Sequence, residues 1–251
     1  MPATPTIERH LEEMLKNQRA WERKPMLRQV YAGLYGRIRA ELACLPGLTI
    51  ELGSGIGQIK TVIPEAVTTD IFANPWLDRV EDAYALSFGP GSVGNLILFD
   101  VFHHLEFPGS ALQEFARVVQ AGGRLILMEP GFGLLGALVY RFLHHEAVGF
   151  GQPITWMAPE GAVIPQRYYA AQGNAWRLFV SGERSPNLLE WRVRRVTKVA
   201  ALSYLLSGGF SKPALVPHGW WPALAALDRA AGVLPALFTT RLLVVLERVD
   251  V

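Results

Sequence analysis

A chain of 251 residues is long enough for one α/β domain with insertions, or at most a domain plus a small cap. Half of its residues are apolar, only 18% are charged, and the formal net charge of +2 is too small to point to nucleic acid. Cys44 is the sole cysteine, which excludes an internal disulfide and a cysteine metal cluster and fits a reducing, cytoplasmic setting.

The first twenty residues carry charges of both signs and no apolar core, so they do not read as a signal peptide. Thr4-Pro5 is a helix start, and Ile7, Leu11, Met14 and Leu15 follow at helical spacing. A second helix is expected from Leu27, Val30, Tyr31, Leu34 and Ile38, closed by Pro46-Gly47. Residues 1–46 precede the first strand and can lie over the open end of a sheet as a helical lid, or cover an edge or face.

Leu48 to Leu52 is a short apolar run that includes Glu51 and passes at once into Gly53-Ser54-Gly55-Ile56-Gly57. A buried parallel strand turning into a helix around a ligand has this pattern, because glycine lets backbone approach where a side chain would intrude. The sixth position of a dinucleotide fingerprint is Gln58 rather than glycine, and no Gly-Lys-Ser/Thr phosphate loop is present. Gln58 to Ile63 is short and helical, stopped by Pro64. Ala66 to Thr69 forms a second strand that delivers Asp70 seventeen residues after Gly53, about where a βαβ unit places a ribose-binding carboxylate.

Only a short stretch separates Asp70 from Asp82, and Pro75 interrupts it, so no full helix is expected before a third strand near Val80 to Leu86. Asn95 to Phe99 is a buried strand ending at Asp100. Ser110 and Gln113 read as a capping box for a helix that Gly122-Gly123 should end, and Arg124 to Met128 is the next strand, reaching Glu129-Pro130. Residues 131–195 form an insertion with apolar runs and aromatic residues. A helix over Val196 to Leu206, a strand over Ser211 to Val216, an inserted helix within 218–238 and a closing strand from Arg241 to Glu247 complete the reading. The alternation predicts a parallel sheet with helices on both faces.

These motifs resemble the class I S-adenosylmethionine-dependent methyltransferases, in particular the small-molecule group that includes the quinone-biosynthesis enzymes. The residues concerned are Glu51 to Gly57, Asp70, Asp82-Ala83 with Leu86, Phe102-His103-His104-Leu105 and Ala121 to Leu125, in family order. The resemblance implies a Rossmann-like seven-stranded, mostly parallel sheet with an antiparallel last strand, in a single domain. It implies S-adenosylmethionine as cofactor, with Gly53, Ser54, Gly55 and Gly57 beside its methionine and ribose portions and Asp70 on the ribose hydroxyls. Ile71 would flank the adenine, and Asp82 and Ala83 would bind its edge. Glu51 would order the loop or reach the amino-acid end, and Asp100 would close the cofactor site. Because the gap after Asp70 is shorter than the family pattern, Trp76 could help rebuild the adenine pocket.

If the acceptor is a hydroxyl, His104 and then His103 are the candidate bases, at the ligand-binding end of the sheet; otherwise the pair shapes the methionine pocket. His144-His145-Glu146 does not read as a metal site, since adjacent histidines on a helix rarely face one ion, so no metal ligands are assigned. Tyr168, Tyr169 and Trp176 could line an apolar acceptor pocket or pack within the insertion. Gly131 to Phe150, with the basic run Arg192 to Lys198, suits either peripheral membrane contact or a core helix beside a solvated strand. The acceptor is expected to be a small or lipid-linked molecule methylated at oxygen or carbon. The alternatives are a non-catalytic cofactor-binding partner protein and an NAD-dependent oxidoreductase or epimerase, the latter disfavoured by Gln58 and by the lack of a Tyr-x-x-x-Lys pair.

Overall fold

β4 (Val93–Phe99) is buried along its whole length, and its side chains divide between two cores with the period of two that a strand imposes. Leu96 and Leu98 enter one cluster, Ile97 and Phe99 the other. β5 (Val119–Pro130) divides Leu125 and Leu127 from Ile126 and Met128, and β7 (Arg241–Arg248) divides Leu242, Val244 and Leu246 from Leu243 and Val245. A sheet apolar on both faces needs helices on both, and here it has them. The computed structural model describes residues 7–143, 146–161, 169–183, 188 and 190–250, with side chains from residue 10.

Beside these strands stand β1 (Leu48–Leu52), β2 (Val67–Asp70), β3 (Arg79–Val80) and β6 (Trp191–Val199), in the order β3-β2-β1-β4-β5-β7-β6. The pairs from β3 to β5 are parallel, and β7 runs antiparallel to both of its neighbours. The order reverses at β1, which lies between β2 and β4, so the ligand crevice of an open α/β sheet belongs at the end of β1.

α1 (Ile7–Arg23) and α2 (Pro25–Arg39) precede the sheet, and α2 buries Leu27, Val30, Tyr31, Leu34 and Ile38 against the face carrying Ile97, Ile126 and Val245. α3 (Pro108–Val118) covers the other face with Ala111, Leu112 and Phe115, joined there by α5 (Asn174–Phe179). α4 (Leu134–Phe142), α6 (Leu202–Ser207), α7 (Trp221–Ala231) and α8 (Pro235–Phe238) fill the connections around β6 and β7. No helix of the described residues is long and apolar enough to cross a membrane.

Five local expectations are corrected. Pro108 takes the first turn of α3, so Ser110 is inside the helix, and its hydroxyl accepts from the Ala158 amide (2.9 Å) instead of capping. α3 already ends at Val118. Gly122 (φ 74°) lies in a bulge of β5, where the register against β4 slips between Val93 and Asn95.

The helix expected over Val196 to Leu206 begins only at Leu202, as α6; before it β6 spans Trp191–Val199, so the first residues of this strand lie inside the stretch set apart as an insertion. Ser211 to Val216, where Pro213 would interrupt a ladder, is not strand. The count of seven strands holds with the sixth in a different place. The third strand is only Arg79–Val80, followed by a bridge between Asp82 and Ala85.

Candidate active site

β1 ends in Glu51 and Leu52, both buried, and the chain then turns through Gly53 (φ 68°), Gly55 (φ 54°) and Gly57 (φ 69°), all left-handed. Space as well as backbone conformation demands glycine at two of them. A Cβ on Gly53 would stand 2.3 Å from Val101 Cγ2, and one on Gly57 would stand 2.9 Å from the Trp76 carbonyl. Ser54 pins the turn to the strands: its hydroxyl donates to the Glu51 carbonyl (3.0 Å) and accepts from the Thr69 amide (3.1 Å).

Glu51 is fully buried, and Tyr35 donates to its Oε1 at 2.8 Å. Oε2 has no hydrogen-bond partner among the described residues. Burial pushes this carboxyl up to about 8, so it is mainly protonated at neutral pH. A buried polar atom without a partner is costly, and here it sits directly below the glycine turn.

Asp70 ends β2 on the other side of the turn. Its Oδ2 accepts from the Gly55 amide (3.2 Å) and its Oδ1 from the Ile71 amide (2.8 Å), which ties the acid to the turn it serves. Burial raises its pKa, against the opposing pull of His10 and these amides. Asn74 donates to the Gly55 carbonyl at 3.0 Å and accepts from the Trp76 amide, holding Trp76 beside Gly57. Glu51, Gly53, Ser54, Gly55, Gly57, Asp70 and Ile71 are thus gathered where β1 and β2 end. Asp82 and Ala83 lie past β3, two strands across from β1, where Asp82 Oδ1 accepts from the Tyr84 amide (2.9 Å) and Ala83 is half-buried against the core.

At the end of β4, Asp100 is left-handed (φ 55°), the one described non-glycine residue with positive φ. Aspartate tolerates this region better than most residues, and such strain collects at functional sites. Its Oδ1 is paired with the buried Arg241, whose guanidinium lies 4.5 Å from the Tyr204 ring centroid and 5.6 Å from that of Phe99. Arg241 was legible only as an arginine opening an apolar strand.

The turn of Phe102–His104 follows. Glu129, fully buried at the end of β5, accepts from the Val101 amide (3.0 Å) and the Phe102 amide (2.7 Å), and its Oε2 lies 2.6 Å from His103 Nδ1. Glu146 faces the pair, with Oε2 3.5 Å from His103 Nε2 and Oε1 3.7 Å from His104 Nε2. Burial alone would lower the His103 pKa, but the Glu129 charge and the bonds to Glu129 and Glu146 outweigh it and raise it to about 10. Burial and the His103 charge lower His104 to about 4. His103 therefore holds its proton, and His104 is neutral. His104 Nδ1 faces the Tyr169 carbonyl at 2.8 Å, so this nitrogen carries the hydrogen and Nε2 the lone pair.

Trp176 packs against the core cluster that includes Leu178 and Trp191, and Tyr169 takes part through its main chain. Tyr168, His144 and His145 lie outside the described residues.

Residues 50–127 match the family model of the methyltransferase domain. The matched stretch is about a third of the chain. The match runs from the glycine turn through the histidine pair into β5, and the rest of the chain lies outside it. The domain's fold is shared by solved structures of low identity. One belongs to the complex of the Haloferax volcanii Trm112 methyltransferase activator with a methyltransferase (15% identity, 95% of each chain, TM-score 0.53). Another is the geranyl diphosphate C-methyltransferase of Streptomyces coelicolor A3(2), solved with Mg2+, geranyl diphosphate and S-adenosyl-L-homocysteine (14%, 87% of this chain and 79% of that one, 0.52). A third is the [4+2]-cyclase SpnF (15%, 88% and 82%, 0.51). No curated protein matches the chain in sequence. The chain thus shares with these structures the Rossmann-like, seven-stranded fold that its motifs implied.

Proposed function

We propose that the chain transfers the methyl group of S-adenosylmethionine to a small-molecule or lipid-linked acceptor, at oxygen or carbon. The observation that carries this reading is the end of β1, where left-handed glycines meet the Asp70 carboxylate and where Oε2 of the buried Glu51 has no partner among the described residues. These residues fit the donor. The turn lets backbone meet it closely, Asp70 offers two oxygens to two ribose hydroxyls, and Glu51 offers an acceptor to its amino-acid end. Ile71, with Asp82 and Ala83, takes the adenine end, and Asp100 the side toward β4.

The cofactor supplies a methyl group already activated on a sulfonium. The protein's task is then alignment, which can be worth roughly 7–11 kcal/mol at its upper end. His103 cannot take a proton from an acceptor hydroxyl, because it already holds one between two carboxylates. In the absence of other ligands, His104 is the neutral imidazole of the pair. α1 serves as the lid: Met14 Sδ lies 3.5 Å from where a Gly55 Cβ would stand, and His10 Nε2 lies 3.9 Å from Asp70 Oδ1. Residues beyond β5 supply the acceptor side.

The shared fold of the cyclase SpnF shows that architecture does not decide the chemistry. The test is transfer of label. Protein incubated with methyl-tritiated S-adenosylmethionine and a cell extract, then partitioned, is expected to move tritium into an extractable product. Intact cofactor binding without transfer into any fraction would instead make the chain a cofactor-binding scaffold.

Glu51 gives the cofactor site a pH signature. An ammonium group beside Oε2 favours the carboxylate, while the free protein holds the proton up to about pH 8. Affinity for S-adenosylmethionine should therefore rise from pH 6 toward 8 and then level, and Glu51→Gln should flatten this part of the profile. An unchanged slope in the variant would remove Glu51 from the site.

Peripheral membrane contact also has support. Leu134, Leu138 and Phe142 of α4 are exposed at successive helical turns, with Leu143 after them and Val233 and Leu234 beside the adjoining α8. The basic run adds little, since Arg192 and Arg194 pair with Glu247 and Arg195 with Glu41. The protein is expected to float with neutral phosphatidylcholine vesicles as well as with anionic ones, and Phe142→Asp to sink. Failure of the wild type to float would end this part of the proposal.

A further inference from the structure

The cluster of His103, His104 and Glu146 lies beside the cofactor crevice, and ribose or adenine binding gives it no role. One ligand atom from each of the three lies within 4.8 Å of the others. The two contacts across the cluster are 3.5 Å (His103 Nε2 to Glu146 Oε2) and 3.7 Å (His104 Nε2 to Glu146 Oε1). Ligands about 2.0–2.2 Å from a tetrahedral ion are about 3.4 Å apart, so each histidine stands near that spacing from one oxygen of the Glu146 carboxylate. The histidine rings lie side by side, with centroids 4.2 Å apart, and both turn Nε2 toward the same carboxylate.

The second nitrogen of each histidine and one oxygen of the carboxylate are held by partners, as ligands usually require. His103 Nδ1 is held by the Glu129 carboxylate at 2.6 Å, and His104 Nδ1 by the Tyr169 carbonyl at 2.8 Å. Gln172, itself buried, donates to Glu146 Oε2 at 2.7 Å. Metal-bound imidazoles characteristically give their second nitrogen to a carboxylate or a backbone carbonyl, and bound carboxylates are in turn hydrogen-bonded.

We infer that His103, His104 and Glu146 form a binding site for one divalent first-row transition ion, held through two imidazole nitrogens and one carboxylate. The ion takes the place of the proton on His103 Nε2, which is released to solvent, while Nδ1 keeps its hydrogen toward Glu129. Nitrogen donors favour zinc, iron, cobalt or nickel over magnesium and calcium. Two imidazoles and one carboxylate are a donor set found in catalytic zinc sites. The site is joined to the cofactor crevice through Val101, two residues before His103, whose methyl group occupies the space over Gly53. An acceptor oxygen would take an open position and be polarised there, and in that state His104 is a ligand rather than a base. This last role rests on the methyltransferase reading; the metal site does not, and it is measured without the cofactor.

Sequence hid the set because Glu146 comes from a segment far along the chain from the histidine pair. The test is titration of chelator-treated protein with Co2+, with Zn2+ and Mg2+ as competitors. One Co2+ per chain with visible ligand-field absorption is expected, displaced by Zn2+ and not by Mg2+. His104→Ala and Glu146→Gln should each weaken Co2+ at least as much as the roughly 10–100-fold loss that removal of an outer partner produces. X-ray absorption of the wild-type zinc form should show two imidazole nitrogens, a readout that holds even if a variant fails to fold. Substoichiometric Co2+ binding, unchanged affinity in both folded variants, or a zinc shell without imidazole would each overturn the assignment.

Discussion

Glu129→Ala is expected to destabilise the folded chain by about 3–5 kcal/mol, the usual cost of stranding a buried charge partner. For a chain of this size that lowers the thermal midpoint by roughly 6–20 °C. The side chain is fully buried, and it receives the amides of Val101 and Phe102 and faces His103 Nδ1. Alanine leaves two amides and an imidazolium without their acceptor. Glu129→Gln keeps an oxygen for the amides and should lose much less. Thermal and urea unfolding of the three proteins decide it; an alanine variant within about 1 kcal/mol of wild type would mean that the turn after β4 does not depend on this carboxylate.

Asp70→Ala is expected to weaken S-adenosylmethionine binding about 100- to 10,000-fold. Two hydrogen bonds from ribose hydroxyls to a carboxylate are worth about 1.5–3 kcal/mol each, and alanine removes both. The variant also loses the acceptor for the Gly55 and Ile71 amides, so the turn itself loosens. Asp70→Asn keeps one oxygen and should fall between. Equilibrium dialysis at a pH where all three proteins are folded provides the reading, and a loss below tenfold for alanine would place the ribose elsewhere.

What the sequence revealed is local. The strand, glycine turn and second acid lie within a short span, and each glycine's conformation follows from its neighbours, so Leu48 to Asp70 could be read without a partner structure. β6 was hidden because it is a sheet-edge strand whose outward arginines break the apolar alternation, and its register slips between Val193 and Arg195. Ser110 looked like a cap because Ser-x-x-Gln is a capping signal in isolation, yet Pro108 had already started the helix. The site residues beyond the glycine turn are long-range. Arg241 meets Asp100 across 141 positions, and Glu129 and Glu146 reach the histidine pair from the end of β5 and the segment after α4. No spacing rule in one sequence could join them.

The central claim is that the crevice at the end of β1 binds S-adenosylmethionine. Calorimetric titration of the wild-type protein with S-adenosylmethionine, S-adenosylhomocysteine and NAD tests it most directly. Saturable one-to-one binding of both sulfur ligands, with no heat from NAD, is the result predicted here. Binding of NAD alone, or of none of the three, would contradict it.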